Sequence, residues 1–82
     1  MELKIGQIAL SKAGRDKGKL LAAVRFEKDR VFLCDGKERP LERPKAKNLR
    51  HVEFTQMFID EASMETDRKL RKAINQLSDL KR

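Results

Sequence analysis

The chain has one cysteine, no tryptophan and no tyrosine, and only two prolines in 82 residues. The lone thiol, Cys34, has no intramolecular disulfide partner, which agrees with a reducing compartment. Soft metal ligands are as scarce. Apart from Cys34 and three methionines there is only His51, so a structural zinc cluster is not expected, nor any other metal or cofactor. No run of about 18 apolar residues could span a bilayer. The stretch Met1-Glu2-Leu3-Lys4-Ile5-Gly6 lacks the basic-then-apolar pattern of a secretory signal. The expectation is a cytoplasmic protein with no membrane partner. The aromatics are four phenylalanines, Phe26, Phe32, Phe54 and Phe58, each in an apolar context that favours core packing. Recognition of single strands by stacked bases is therefore disfavoured. Acids are outnumbered, 13 against 20 Lys and Arg, for a formal net charge of +7. That excess favours an anionic partner.

Hydrophobic periodicity predicts a mainly β chain followed by a helix. Residues 5–11 place Ile8 and Leu10 on one side of a strand, with Gly6 suiting a tight turn before it. From Lys19 a second alternation puts Ala22, Val24 and Phe26 on one face and Arg25 and Glu27 on the other. A turn at Lys28-Asp29-Arg30 leads into the apolar run Val31-Phe32-Leu33-Cys34, a buried third strand whose inward residues the pattern does not decide. Asp35-Gly36 is a hairpin signal after it. Glu38 to Leu41 is a candidate fourth strand ending at the prolines, and Lys45 to Val52 a closing fifth with Leu49 inward. Several short strands separated by turns point to a small barrel. Beyond Phe54 the period becomes helical. Leu70, Ala73, Ile74, Leu77 and Leu80 form a stripe, with Thr66 or Ser63 as its cap and Asp67 and Lys81-Arg82 complementing the helix dipole. The expected organisation is a barrel over 1–54, a linker or short helical turn over 55–65, and an amphipathic helix over 66–82 whose stripe either packs on the barrel, the favoured reading, or binds a partner or a second copy.

Between the first two strands lies Ala13-Gly14-Arg15-Asp16-Lys17-Gly18. Glycines permit positive φ or close approach of a partner, and Arg15 and Lys17 place charge on an exposed connection. These features suit a phosphate-facing turn, but Gly-rich charged turns are common and the local chemistry alone favours a solvated hairpin. It is not a Walker-type loop, since the GK[ST] ending and a following helix are missing. A second basic stretch gathers Lys37, Arg39, Arg43, Lys45, Lys47 and Arg50 against Glu38 and Glu42. Sharing a face with the loop, these residues would neutralise several phosphates. Apart from it they would form a solvated basic segment. His51 has no base or nucleophile beside it, Cys34 reads as a core thiol, and Asp60, Glu61 and Glu65 suit a helix start. No catalytic constellation assembles, and no small-molecule substrate is expected.

The order of these features is similar to a known family. The stretch from Gly6 to Lys19, followed by an apolar strand through Phe26, resembles the KOW motif of an alternating strand, a loop G-[RK]-x-x-G and a second strand. With "VFLCDG" at 31–36 and "RPKAKNLRHVE" at 43–53, residues 3–54 resemble KOW-bearing large-subunit ribosomal proteins of archaea and eukaryotes. They resemble still more the short KOW domain-containing RNA-binding proteins of Gram-positive bacteria. The resemblance implies an SH3-like β-barrel that binds structured RNA, ribosomal RNA among others, and a role in translation rather than catalysis. Gly14 and Gly18 match the shaping glycines and Arg15 the basic position, with Lys12, Lys17 and Lys19 as basic neighbours. Asp16 departs from a phosphate-facing turn and is expected either to pair with Arg15 or Lys17, or to orient the turn. The alternative function is protein docking, on ribosomal protein or transcription machinery, with Asp16 turned toward a basic partner.

Overall fold

The computed structural model of the protein describes residues 3–80, with side-chain surroundings through Ser78. The expected charges of Lys81 and Arg82 at the helix end, and the packing of Leu80, lie outside the described residues. Among the described residues the chain forms β1 (Gln7–Ser11), β2 (Leu20–Glu27), β3 (Arg30–Cys34), β4 (Lys45–Asn48), a 3₁₀ turn (Leu49–His51), β5 (Val52–Phe58), a second 3₁₀ turn (Ala62–Met64) and α1 (Asp67–Leu80). The strands make one antiparallel sheet in the order β4-β3-β2-β1-β5. No ladder joins β4 to β5, so the sheet is open at both edges. It is nevertheless strongly curled. Val31 and Leu33 of β3 share a cluster with Val52 of β5, three strand spacings away, or about 14 Å on a flat sheet, too far for contact.

Both faces of the sheet are covered, which explains the apolar runs of β1 to β3. The concave face buries Ala9, Leu21, Ala23, Val31, Leu33 and Val52, with Phe26, Leu49 and Phe54 packed against them. The other face buries Ile8, Ala22 and Cys34 under Leu70 and Ile74 of α1, flanked by Leu20, Val24, Leu41, Met57, Ile59, Met64 and Leu77. The helix thus docks on its own sheet. Thr66 caps it, its Oγ1 accepting from the Lys69 N–H at 3.1 Å.

Several expectations are corrected. Phe26 does not share a face with Ala22 and Val24. A register shift between Ala23 and Arg25 inserts one extra residue in β2, and beyond this bulge the faces exchange, so Phe26 enters the concave cluster. Leu10 is half-buried while Ile8 and Ala9, on opposite faces, are both buried. The segment 38–41 is not a strand. The Asp35 carboxylate accepts from the Lys37 and Arg39 N–H groups at 2.8 and 2.9 Å, closing a turn, and the fourth strand comes later, at Lys45–Asn48. β5 runs past residue 54 to Phe58 and so takes the first part of the segment 55–65. Phe32 alternates outward between Val31 and Leu33 and lies 4.0 Å below the Arg25 guanidinium, and Phe58, at the end of edge strand β5, is 50% exposed. Only Phe26 and Phe54 pack against the concave core, their rings 6.0 Å apart.

Gly36 is required by the docking of α1. A Cβ there would collide with the Asp67 carbonyl oxygen and come within 2.9 Å of the Arg71 nitrogen. Asp67 ties the same contact from the other side, its Oδ1 accepting from the Leu41 N–H at 2.7 Å. Cys34 lies beneath, its thiol donating to the Pro40 carbonyl at 3.4 Å. Burial, with Asp67 and Asp35 nearby, pushes this thiol up to about 11. Only the thiolate alkylates, and the folded thiol needs roughly two more pH units to form it than a thiol at the reference value. Iodoacetamide labelling at pH 8 is therefore expected to be at least about a hundredfold slower in the native protein than in urea. Equal rates in the two states would show that Cys34 is not enclosed.

Candidate nucleic-acid interface

The β1–β2 loop is held at its base and underneath. The Gly18 and Ser11 N–H groups donate to the Ser11 and Lys19 carbonyls, and the Lys12 N–H donates to the His51 carbonyl at 2.9 Å. Gly14 and Gly18 adopt φ of +80° and +85°, and a Cβ on Gly18 would meet nothing within 4 Å. These glycines serve the turn conformation rather than close packing. The Lys17 and Lys19 N–H groups donate to the Gly14 and Asp16 carbonyls, completing a compact turn.

Asp16 gives the loop its anchor. Its side chain is 1% exposed and pairs with neither Arg15 nor Lys17. It meets Arg39, from the turn after β3, with Nε donating to Oδ2 at 3.2 Å and Nη2 in an ion pair with the same oxygen at 3.1 Å. Among the described residues Oδ1 is buried without a partner. A second tie comes from β4, where Lys47 Nζ donates to the Ala13 carbonyl at 2.6 Å. Lys47 stands opposite Val31, so its stem follows the sheet while its head reaches the loop. Loop and basic segment, 34 residues apart for this pair, are thereby brought together.

The expected site residues sort into three groups. Arg39 and Lys47 support the loop, although an ammonium with three donors keeps two free of the Ala13 contact. Lys19 pairs with Glu38 at 2.9 Å and Lys12 with Glu53 at 3.9 Å, both at the surface, where such pairs contribute little. Arg15, Lys17, Lys37, Arg43, Lys45 and Arg50 have no ion pair among the described residues and are exposed. Of these, Arg15 and Lys17 project from the anchored loop, Lys45 lies two residues from Lys47 on β4, and Arg50 lies on the 3₁₀ turn whose His51 carbonyl holds Lys12. Arg43 sits in the turn closed by its N–H on the Pro40 carbonyl and makes no hydrogen bond or ion pair to the loop.

Periodicity missed the contribution of α1. Arg71, Asn75 and Ser78 line a groove with Lys19 and Lys37. Their spacing of four and three residues, one position after the apolar Leu70, Ile74 and Leu77, was the available signal. Among the described residues no group of His, Cys, Asp and Glu side chains could hold a metal ion, and no helix is long and apolar enough to cross a membrane. Comparison with protein-family models and with curated proteins finds no match to this chain.

Proposed function

We propose that this chain is a non-catalytic RNA-binding module, an SH3-like KOW domain that contacts the phosphates of structured RNA, ribosomal RNA included. One observation carries the reading. Asp16, the acid that would repel phosphate from the loop, is buried on Arg39, so the exposed tip presents Arg15 and Lys17 beside Lys47. The strand order and the curled sheet support the SH3-like assignment, and the cytoplasmic, ribosome-associated setting follows from the same reading. Docking on a protein through Asp16 finds no support, because a buried carboxylate offers nothing to a basic partner. The Arg25 guanidinium covers Phe32 and leaves Phe58 as the one exposed phenylalanine among the described residues, too little for stacking successive bases, which favours the double helix and its backbone, read by shape, as the RNA form.

Four phosphate contacts, from Arg15, Lys17, Lys45 and Lys47, give a slope of log affinity on log salt of about −3 to −4. Between 50 and 200 mM salt, affinity for a ribosomal RNA hairpin is expected to fall about a hundredfold. Replacing Arg15, Lys17 and Lys45 together by Gln spares the buried pair and the Lys47 tie. In the triple variant the slope is expected to shrink by about 2 to 3 units, with unfolding unchanged. Undiminished affinity and slope in a folded triple variant would overturn the reading and turn attention to protein partners.

A further inference from the structure

The groove between α1 and the β1–β2 loop has a volume of about 360 Å³, within the size range of small-ligand sites. Lys19, Lys37 and Arg71 bring three positive charges to it, and Asp35 a single negative one. That carboxylate accepts from the Lys37 and Arg39 N–H groups through one oxygen, Oδ1, and the three cations outweigh its single charge. The Lys19–Glu38 pair is a surface contact that a phosphate can displace. Arg71 is fixed in place because its backbone crosses directly over Gly36, the residue before Lys37. Leu20 and Ile74 supply apolar surface, while the Asn75 amide and the Ser78 hydroxyl supply a donor and acceptor each along one helix edge. Cations, an apolar surface and two polar side chains are three separate requirements of one ligand class, a phosphate joined to a sugar and a base. Gly18 and Lys19 belong both to this groove and to the loop that carries Arg15 and Lys17.

Resting on the RNA-binding reading, we propose that the groove is a nucleotide subsite. It takes one unstacked nucleotide of the bound RNA, its phosphate on Lys37 and Arg71 and its sugar and base over Leu20 and Ile74 beside Asn75 and Ser78. The module then holds RNA at two places. The loop grips phosphates without regard to sequence, and the helix edge accepts a bulged or terminal nucleotide beside the duplex.

The test is amide chemical-shift titration of the full chain with adenosine 5′-monophosphate, with inorganic phosphate in a parallel series at constant ionic strength. Saturable shifts at Lys19, Lys37, Arg71 and Asn75 are expected with the nucleotide, with inorganic phosphate binding about tenfold more weakly. Arg71→Gln is expected to weaken nucleotide binding about fivefold and Asn75→Ala about threefold. Both residues are exposed, so both variants fold. Equal affinity for phosphate and nucleotide would reduce the groove to an anion site and overturn the proposal, as would shifts that never saturate. The two readings fail separately. If a hairpin with a bulged nucleotide loses affinity with the Arg15, Lys17 and Lys45 triple variant but not with Arg71→Gln, the subsite falls and RNA binding stands. If neither variant weakens it, both fall.

Discussion

Replacing Leu70 by Ala is expected to remove about 3 to 4 kcal/mol of stability, close to half of what a domain of this size possesses. Leu70 is 0% exposed and joins α1 to Ile8, Ala22 and Cys34, one residue from each of the three central strands. The residues beneath it cannot collapse into the space. Ala22 has only a methyl group, and Ile8 and Cys34 are held in the ladder as Ala22's partners on its two sides. A cavity therefore remains and its cost adds to the lost transfer energy. Urea unfolding measures the effect, with Arg71→Ala as the exposed neighbour expected to change stability by under about 0.5 kcal/mol. For a domain this small the Leu70→Ala melting temperature should drop by roughly 15 °C or more. A loss below about 1 kcal/mol would mean that α1 contributes no packing to the sheet. Because Arg71, Asn75 and Ser78 are presented by the same helix, its docking also decides whether the groove exists.

Local pattern was sufficient where neighbours in sequence decide structure. The alternation of 20–27, the apolar run of 31–34, the Asp35-Gly36 turn and the stripe Leu70, Ile74, Leu77 after Thr66 all reflect interactions within a few residues, and each locates an element. What alternation could not reveal was where it breaks. The bulge between Ala23 and Arg25 exists because β3 advances one residue fewer than β2, and nothing in "AAVRF" records the length of a partner strand. The strand expected at 38–41, which does not form, has the same origin. "KERPL" looks extended at its proline, but the Asp35 carboxylate takes the Lys37 and Arg39 N–H groups first, a competition settled by one side chain upstream.

The site follows the same division. That a glycine-flanked basic loop projects between β1 and β2 could be read from residues 13–18 alone. Which cations support the loop and which remain exposed could not. Arg39 and Lys47 had the same standing as Lys37 and Lys45 in a basic run, yet contacts with Asp16 and the Ala13 carbonyl hold the first two against the loop and leave the others in solvent. The contacts span 23 and 34 residues, a separation that composition does not encode. Asp16 is the residue whose meaning changes most. Beside Arg15 and Lys17 it looks like a surface acid, and only the fold shows it buried against Arg39.

That burial makes Arg39→Met the second large effect. Removing the guanidinium leaves the Asp16 carboxylate 1% exposed with no cation in contact, and Oδ1 already lacks a partner. Stripping the partner from a fully buried charge costs about 3 to 5 kcal/mol, and because the Arg39 side chain is 23% exposed the expected loss here is nearer 2 to 3 kcal/mol. Asp16→Asn should cost less, since it removes the buried charge while Arg39 retains access to water. The double variant distinguishes a true pair from two independent losses. With both charges gone no buried charge is left unpaired, only a neutral amide, so Asp16→Asn with Arg39→Met should be no less stable than Arg39→Met alone, a coupling of at least about 1 kcal/mol. Additive losses in urea unfolding would mean that the two side chains do not depend on each other. The same variants separate structure from recognition. In Arg39→Met the loop loses its anchor while Arg15 and Lys17 remain, so RNA affinity should fall because those cations must be ordered on binding, whereas the salt slope should fall by no more than about 1 unit. A slope reduced as far as in the Arg15, Lys17 and Lys45 triple variant would instead make the loop's anchoring a condition for every phosphate contact it offers.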